Sequence, residues 1–297
     1  MRILNISTND YANMSHENAN ALRASGIQCD DVSLNCHPFN YHTQSKRVTA
    51  EQIKQMQSNY DVIQLFHTDA QLYQLVRNHK NVIVYHTGTR YRQEKERFDT
   101  IFKDRTIFTD QCEFLLHNPS FEYIAPHTNL KPVKKSIQKK LFLGHYPSNH
   151  IVKGTAAIKD MTSAFSDKFR IDIDTNLESH QINIHRLSKC DIYIELFRPT
   201  QNNQPYGCFG VTAFEATALG ALVITNNINP SAYTDAYGEH PFLIANDEQT
   251  FINFMLSLSD CQDFEFIRES MHAGFFDKHS IVPTGKRIAS LIEKNIS

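Results

Sequence analysis

The chain has 297 residues, enough for two domains that each hold a core. Hydrophobic residues are 41% and charged residues 21%, an ordinary globular composition, and a formal net charge of −2 gives no global pull toward nucleic acid or an anionic membrane. No run approaches the roughly 18 apolar residues of a membrane span, and the opening MRILNISTNDYANMS lacks the apolar stretch of a secretory signal.

Taken in order, Arg2–Ser7 reads as a buried strand, followed by a polar loop and a helix capped at Ser15 that stops at Gly26. QCDDVSL, YDVIQLF and NVIVYHT predict three more strands, the last two separated by helical DAQLYQLVRNH. TIFT, a helix over 110–117 and FEYIA complete a first half. Leu130–Lys140, with Pro132 and five lysines in eleven residues, predicts an interdomain linker. The alternation then restarts: strand KLFLGH, helix KGTAAIKDMTSAFSDK, strand FRIDI, helix ESHQINIHRLSK, strand CDIYIEL. A long loop over 197–208 leads to helix FGVTAFEATALG, strand ALVIT and strand PFLIA. The tail from Asp247 is helical, with breaks near Gly274 and Pro283. Two consecutive βα series predict an α/β chain of two doubly wound, Rossmann-like domains, with ligands at the carboxyl ends of the strands.

Six scattered cysteines (Cys29, Cys36, Cys112, Cys190, Cys208, Cys261) fit reduced thiols in a cytoplasm. Fifteen histidines include no H-E-x-x-H and no Cys/His cluster of zinc spacing, so no metal is expected.

Two stretches carry chemistry. In PYGCFGVTAFEATALGALVIT (205–225), Gly207 and Gly210 bracket the entry to a helix, where free amides and the positive helix end suit a phosphate or a sugar hydroxyl. Glu215 is the one acid in an otherwise apolar run, just over a turn into that helix. On spacing alone, a buried helix with packing glycines explains the stretch equally well. In LGHYPSNHIVKGT (143–155), Lys153 stands at a helix start, where its charge adds to the dipole against a diphosphate; a solvent-exposed lysine is the plain alternative. Neither a P-loop nor a G-x-G-x-x-G turn is present, which argues against an NAD site.

Together, HYPSNHIVKGT and YGCFGVTAFEATALGALVIT resemble the carboxyl-terminal domain of GT-B nucleotide-sugar glycosyltransferases of the retaining family-four group. The Glu-Ala-x-Ala-x-Gly-x-x-Val pattern falls on Glu215–Val223, and VIVYHTGTRYR resembles the family's His-Gly-Ser-type loop in the first domain. The resemblance implies residues 1–135, plus a last helix over about 277–297, as an acceptor-side domain, with 136–276 binding the donor. Lys153 would contact the diphosphate and Glu215 the ribose. Asn149, Gly154, Thr155, Tyr206, Gly207, Cys208, Phe209, Gly210, Val211 and Thr212 would line the donor site. His86 would reach the donor sugar, and Asn13, Met14, Ser15 and His16 would border the acceptor. The resemblance implies a nucleotide-diphosphate sugar as donor, no cofactor or metal, and retention of the anomeric configuration. It implies as acceptor a glycan, a lipid-linked glycan or another hydroxyl compound, met in the cytoplasm or by peripheral contact at the inner membrane face.

Two departures stand out. The pattern's first acid falls on Gly207, and the arginine that often precedes the loop lysine is replaced by Ser148, Asn149 and His150, leaving Arg198 as a substitute cation. Two other readings therefore stand beside the enzyme: a degenerate GT-B binding scaffold, and a phage-type enzyme acting on DNA bases through KKSIQKK, Arg90, Arg92, Lys95 and Arg97.

Overall fold

The computed structural model describes residues 1–37, 39–133, 140–198, 200–201, 204–259 and 264–296, without the side chains of 200, 201, 204 and 205. Most of the expected linker, and Cys261, lie outside the described residues. The chain divides into two compact units, residues 1–127 with 279–297, and residues 128–278.

The first unit is built on a parallel sheet of seven strands: β1 (Arg2–Ser7), β2 (Gln28–Ser33), β3 (Lys46–Arg47), β4 (Val62–Phe66), β5 (Val82–His86), β6 (Thr106–Thr109) and β7 (Glu122–Tyr123), in the order β3-β2-β1-β4-β5-β6-β7. Parallel strands are covered on both faces, so they read as nearly continuous apolar runs. Alternate residues feed two cores: Leu4, Ile6, Ile63, Leu65, Val82 and Val84 on one face, Ile3, Val62, Phe66, Ile83 and Tyr85 on the other. The first face is covered by α2 (Ala50–Met56), α3 (Ala70–Val76), α4 (Gly88–Gln93) and α5 (Lys95–Ile101), through Ile53, Leu72, Tyr91 and Phe98. The second is covered by α1 (Met14–Ala24), with Ala19, Ala21 and Leu22. A buried amide cluster fixes α1 to the sheet: Asn5 Nδ2 donates to Asn18 Oδ1 (2.9 Å) and the Ser15 carbonyl (3.0 Å), and Gln64 Nε2 donates to Asn5 Oδ1 (3.1 Å).

Ser15 is not the helix cap. It is the second residue of α1, and Asp10 caps from upstream: its two carboxylate oxygens accept from the Ser15 (2.8 Å) and His16 (3.0 Å) amides. A single 3₁₀ turn over Tyr11–Asn13, with Ala12 and Asn13 left-handed, carries the chain between them.

The second unit carries a parallel sheet of five strands, β8 (Phe142–His145), β9 (Arg170–Ile173), β10 (Ile192–Ile194), β13 (Leu222–Thr225) and β14 (Phe242–Ile244), ordered β14-β13-β10-β8-β9. The loop after β10 contains a small antiparallel hairpin, β11 (Thr200–Gln201) with β12 (Gln204–Pro205). One face is packed by α6 (Thr155–Ser163), α10 (Glu248–Ser259) and α11 (Phe264–His272), through Ile158, Phe251, Met255 and Phe264. α7 (His180–Leu187), α8 (Val211–Ala218) and α9 (Ser231–Tyr237) follow the sheet's carboxyl-end loops, and Phe209 and Phe214 pack on Phe242. α12 (Phe275–His279) leads to the last helix, α13 (Ile281–Asn295), which belongs to the first unit and packs along α1. Pro283 does not break α13. It stands in the first turn, where no intrahelical amide bond is lost.

Candidate functional site

In an open parallel sheet, ligands bind beyond the carboxyl ends of the strands, where the strand order reverses. In the second unit that point lies between β8 and β10, because the chain runs outward to β9 and then returns across β8. Lys153, in the loop after β8, and Glu195, the residue after β10, form an ion pair across it. Glu195 is 2% exposed and the Lys153 side chain 21% exposed, so the carboxylate is the more deeply buried partner. Burial alone would lower the lysine's pKa; the Glu195 charge and hydrogen bond outweigh it and hold the ammonium above its ordinary value.

Glycines shape this loop. Gly154 caps α6 in a left-handed conformation, and a Cβ there would lie 3.2 Å from the Phe197 carbonyl carbon and closer still to its oxygen. Gly210 caps α8, and its Cβ would stand 2.5 Å from Glu195 Oε1 and 3.6 Å from Lys153 Nζ. The amino end of α8, around Gly210, Val211 and Thr212, therefore lies beside the ion pair.

Glu215 lies on the second turn of α8. His180 Nε2, at the start of α7, donates to its Oε1 at 2.6 Å. Burial, with the charges of Glu195 and Glu215, pushes the Tyr193 phenol well above its ordinary pKa.

The remaining donor-side candidates separate by exposure. Asn149 is exposed and its Oδ1 accepts from the Val152 amide (3.1 Å), which shapes the loop that presents Lys153. Tyr206 and Cys208 are buried. Phe209 is a core residue, packed on Tyr233 and Phe242. Thr155 is also buried and serves the fold: His145 Nδ1 donates to the Ile194 carbonyl (2.8 Å), so its Nε2 is left to accept from the Thr155 hydroxyl (2.8 Å). Arg198 pairs with Glu248 (2.6 Å) rather than with Lys153's loop.

That arrangement makes the second unit acid-sensitive. Burial lowers the His145 pKa to about 4, against 6.5 for the free side chain. The unfolded chain takes up the proton first as pH falls, so stability is level above about pH 6.5 and is lost on the way to pH 4, by roughly 3 kcal/mol in all. Urea midpoints measured from pH 7 to 4.5 are expected to fall steeply in the parent and less steeply in His145→Gln. Equal slopes would remove His145 as the cause.

No protein-family model matches the chain, and no curated protein matches its sequence. Solved structures do match. A glycosyltransferase from Rickettsia africae ESF-5 has a TM-score of 0.64 at 12% identity, over 100% of this chain and 99% of that one. A UDP-glucosyltransferase from Polygonum tinctorium capable of glucosylating indoxyl has a TM-score of 0.52 at 7% identity, over 100% and 99%. A glycotransferase of kitacinnamycin has a TM-score of 0.51 at 11% identity, over 100% and 99%. The chain has the GT-B fold.

In the amino-terminal unit of this GT-B chain the candidates are less available. His86 is fully buried, stacked on Tyr91 at 4.3 Å between ring centres, and bonded at Nδ1 to Thr68 Oγ1 (3.1 Å). Burial drives its pKa to about 3. The ring is thus enclosed, with its Nε2 buried and unbonded among the described residues. Asn13 and Ser15 are buried, Met14 is half-buried against the core, and His16 pairs inward with Asp31 at 2.7 Å. The exposed member of that loop is Tyr11, whose ring stands edge-on to His67 at 5.3 Å.

Sequence reading sets the loop Asn9 to Ser15 beside the acceptor but misses the pairing of its Asp10 with His67. At this unit's own reversal, between β1 and β4, Asp10 and His67 meet: His67 Nε2 lies 3.2 Å from Asp10 Oδ1, and its Nδ1 lies 2.8 Å from Thr87 Oγ1. Ala12, Asn13, His67 and Thr68 all have positive φ, between 53° and 67°, so strained backbone gathers at these two strand ends, as it does at functional sites. The strand-end rule applied to each apolar run would have found both residues. By contrast, an open pocket of about 730 Å³ in this unit, lined by Arg2, Arg23, Asp30 and Tyr60, lies at the amino ends of the strands.

Proposed function

We propose that the protein is a glycosyltransferase that moves a sugar from a nucleotide-diphosphate sugar to an acceptor hydroxyl. The observation that carries the reading is Lys153 at the strand-order reversal, beside the amino end of α8, with Glu215 one turn along the same helix. The ammonium and the helix amides suit a departing diphosphate, and they are fixed before it arrives. Glu215, held by His180, offers its other oxygen to the ribose hydroxyls. We keep the donor as the only small-molecule requirement, with no metal or cofactor, and retention as the stereochemistry that the family resemblance implies. The acceptor is a glycan, a lipid-linked glycan or another hydroxyl compound, bound at the strand ends of the first unit around Tyr11 and His67. The reaction is placed in the cytoplasm, with peripheral contact at the inner membrane face for a lipid-linked acceptor; among the described residues no helix is long and apolar enough to cross a membrane.

Lys153→Ala and Glu215→Ala are each expected to weaken UDP, GDP and ADP binding by about ten- to a hundredfold in calorimetry, the loss of one charge-assisted contact. If both variants bind all three as the parent does, the site assignment fails.

A nucleotide-binding scaffold without turnover is the second reading, favoured by Gly207 where an acid is expected. Acceptor panels that yield no product from a bound nucleotide sugar would support it. A DNA acceptor is disfavoured, because the four basic residues of 90–97 that suggested it are each ion-paired: Arg90 with Asp69, Arg92 with Glu113, Lys95 with Asp99 and Arg97 with Glu94.

A further inference from the structure

We infer that Glu195 is the acid that binds the transferred sugar, taking a sugar hydroxyl on the carboxylate oxygen that no described residue bonds. The inference rests on the donor reading above and adds to it the residue that replaces the acid missing at Gly207.

Gly207 shows why the missing acid cannot simply be restored. A Cβ there would lie 3.0 Å from the Asn226 carbonyl oxygen and closer still to Asn226 Oδ1. The loop at Gly207 lies directly on the end of β13, with no room for a side chain. At Gly210 the same loop lies on Glu195, with a built Cβ 3.4 Å from its carboxyl carbon. The two glycines thus bring the backbone down onto two neighbouring strand ends, and the acid comes from beneath the loop instead of from the loop.

Glu195 has the capacity for the task. Oε1 takes Lys153, while Oε2 is buried and has no hydrogen-bond partner among the described residues. Its backbone amide donates to the Ile224 carbonyl at 2.9 Å, which sets it against the end of β13. There Thr225 Oγ1, Asn226 Oδ1 and Asn227 Nδ2 are likewise buried without partners among the described residues, although Asn226 Nδ2 bonds Asn246 at 2.6 Å. Native interiors rarely leave such groups unbonded. Several together, at two adjoining strand ends beside a cation and a helix amino end, are matched to a ligand that carries hydroxyls close to an anion. The glycosyl phosphate end of a nucleotide sugar has that chemistry. A nucleoside diphosphate alone brings the anion without those hydroxyls.

The test compares each diphosphate with its sugar. UDP with UDP-glucose, GDP with GDP-mannose and ADP with ADP-glucose are titrated by calorimetry into the parent, E195Q and E195D. For the pair that the parent binds, E195Q is expected to shift the ratio of the two dissociation constants about tenfold against the sugar nucleotide, as loss of a charged hydrogen-bond partner does, with diphosphate binding equal or tighter because Lys153 is freed. E195D keeps the charge beside Lys153 and draws the carboxylate back by one methylene, so it should show the same selective loss in a protein with the parent's melting temperature. If diphosphate and sugar nucleotide weaken by one common factor, or the ratio does not move, Glu195 serves only to hold Lys153 and the inference is overturned. A parent that binds none of the six compounds overturns the donor reading itself.

Discussion

Lys153→Met is expected to destabilise the protein as well as weaken diphosphate binding about ten- to a hundredfold, and Lys153→Met/Glu195→Gln is expected to recover the stability alone. The reason lies in the unequal burial of the pair. Glu195 is 2% exposed, so removing its cation leaves a carboxylate charge with neither water nor a partner. Breaking a fully buried pair in this way costs about 3–5 kcal/mol. Water reaches the Lys153 end, whose side chain is 21% exposed, which brings the expected loss down to about 2–4 kcal/mol. In a unit of this size, that is a fall in melting temperature on the order of 5–12 °C. The double variant removes the charge that needed compensation, so its melting temperature should return most of the way. Binding should not return, because no cation is left for the diphosphate. Thermal melts and UDP, GDP and ADP titrations on the three proteins decide it. A single variant as stable as the parent, or a double variant no better than the single, would show that Glu195 is not a stranded charge.

Most of the strands could be read from the sequence, because parallel strands covered on both faces are short apolar runs between polar loops. β1, β8 and β13 stand where RILNIS, LFLGH and ALVIT predict them. The short helices α2, α4, α5 and α9 carry too few turns for a periodic signal and were not predicted. Lys153 and Glu215 could be singled out because each sits in a local pattern. Glu195 could not: in CDIYIEL it is one polar letter closing a strand, and its partner is 42 residues away. Asp10 and His67, separated by 57 residues, escaped for the same reason. His86 shows another limit, since the stacking of Tyr91 on a histidine that ends a strand is not written in the sequence. Each unit thus has an ionisable pair across its own strand-order reversal, Asp10 with His67 and Lys153 with Glu195. Such a pair is a product of topology, and spacing along the chain does not reveal it.

Gly285→Ala is expected to loosen the last helix from the first unit. Gly285 lies in α13 against α1, and a Cβ there would stand 2.5 Å from the Ala21 carbonyl carbon, closer still to its oxygen, and 3.0 Å from Ser25 Cβ. Ala21 presents backbone, which cannot rotate aside as a side chain can, so the two helices must separate. That separation opens the contact of Ile288, Ala289 and Ile292 with Ala19 and Leu22 in one shared core. Overpacking of this kind costs about 1–3 kcal/mol and more where the backbone is rigid. Helix propensity acts the other way, since alanine is favoured over glycine within a helix by about 1 kcal/mol. The close approach decides the sign, and a net loss of roughly 2 kcal/mol is expected. Urea unfolding measures it, and limited proteolysis between Gly274 and Ser280 should quicken as α13 detaches. A Gly285→Ala protein more stable than the parent, as propensity alone would make it, would overturn the close packing of α13 on α1.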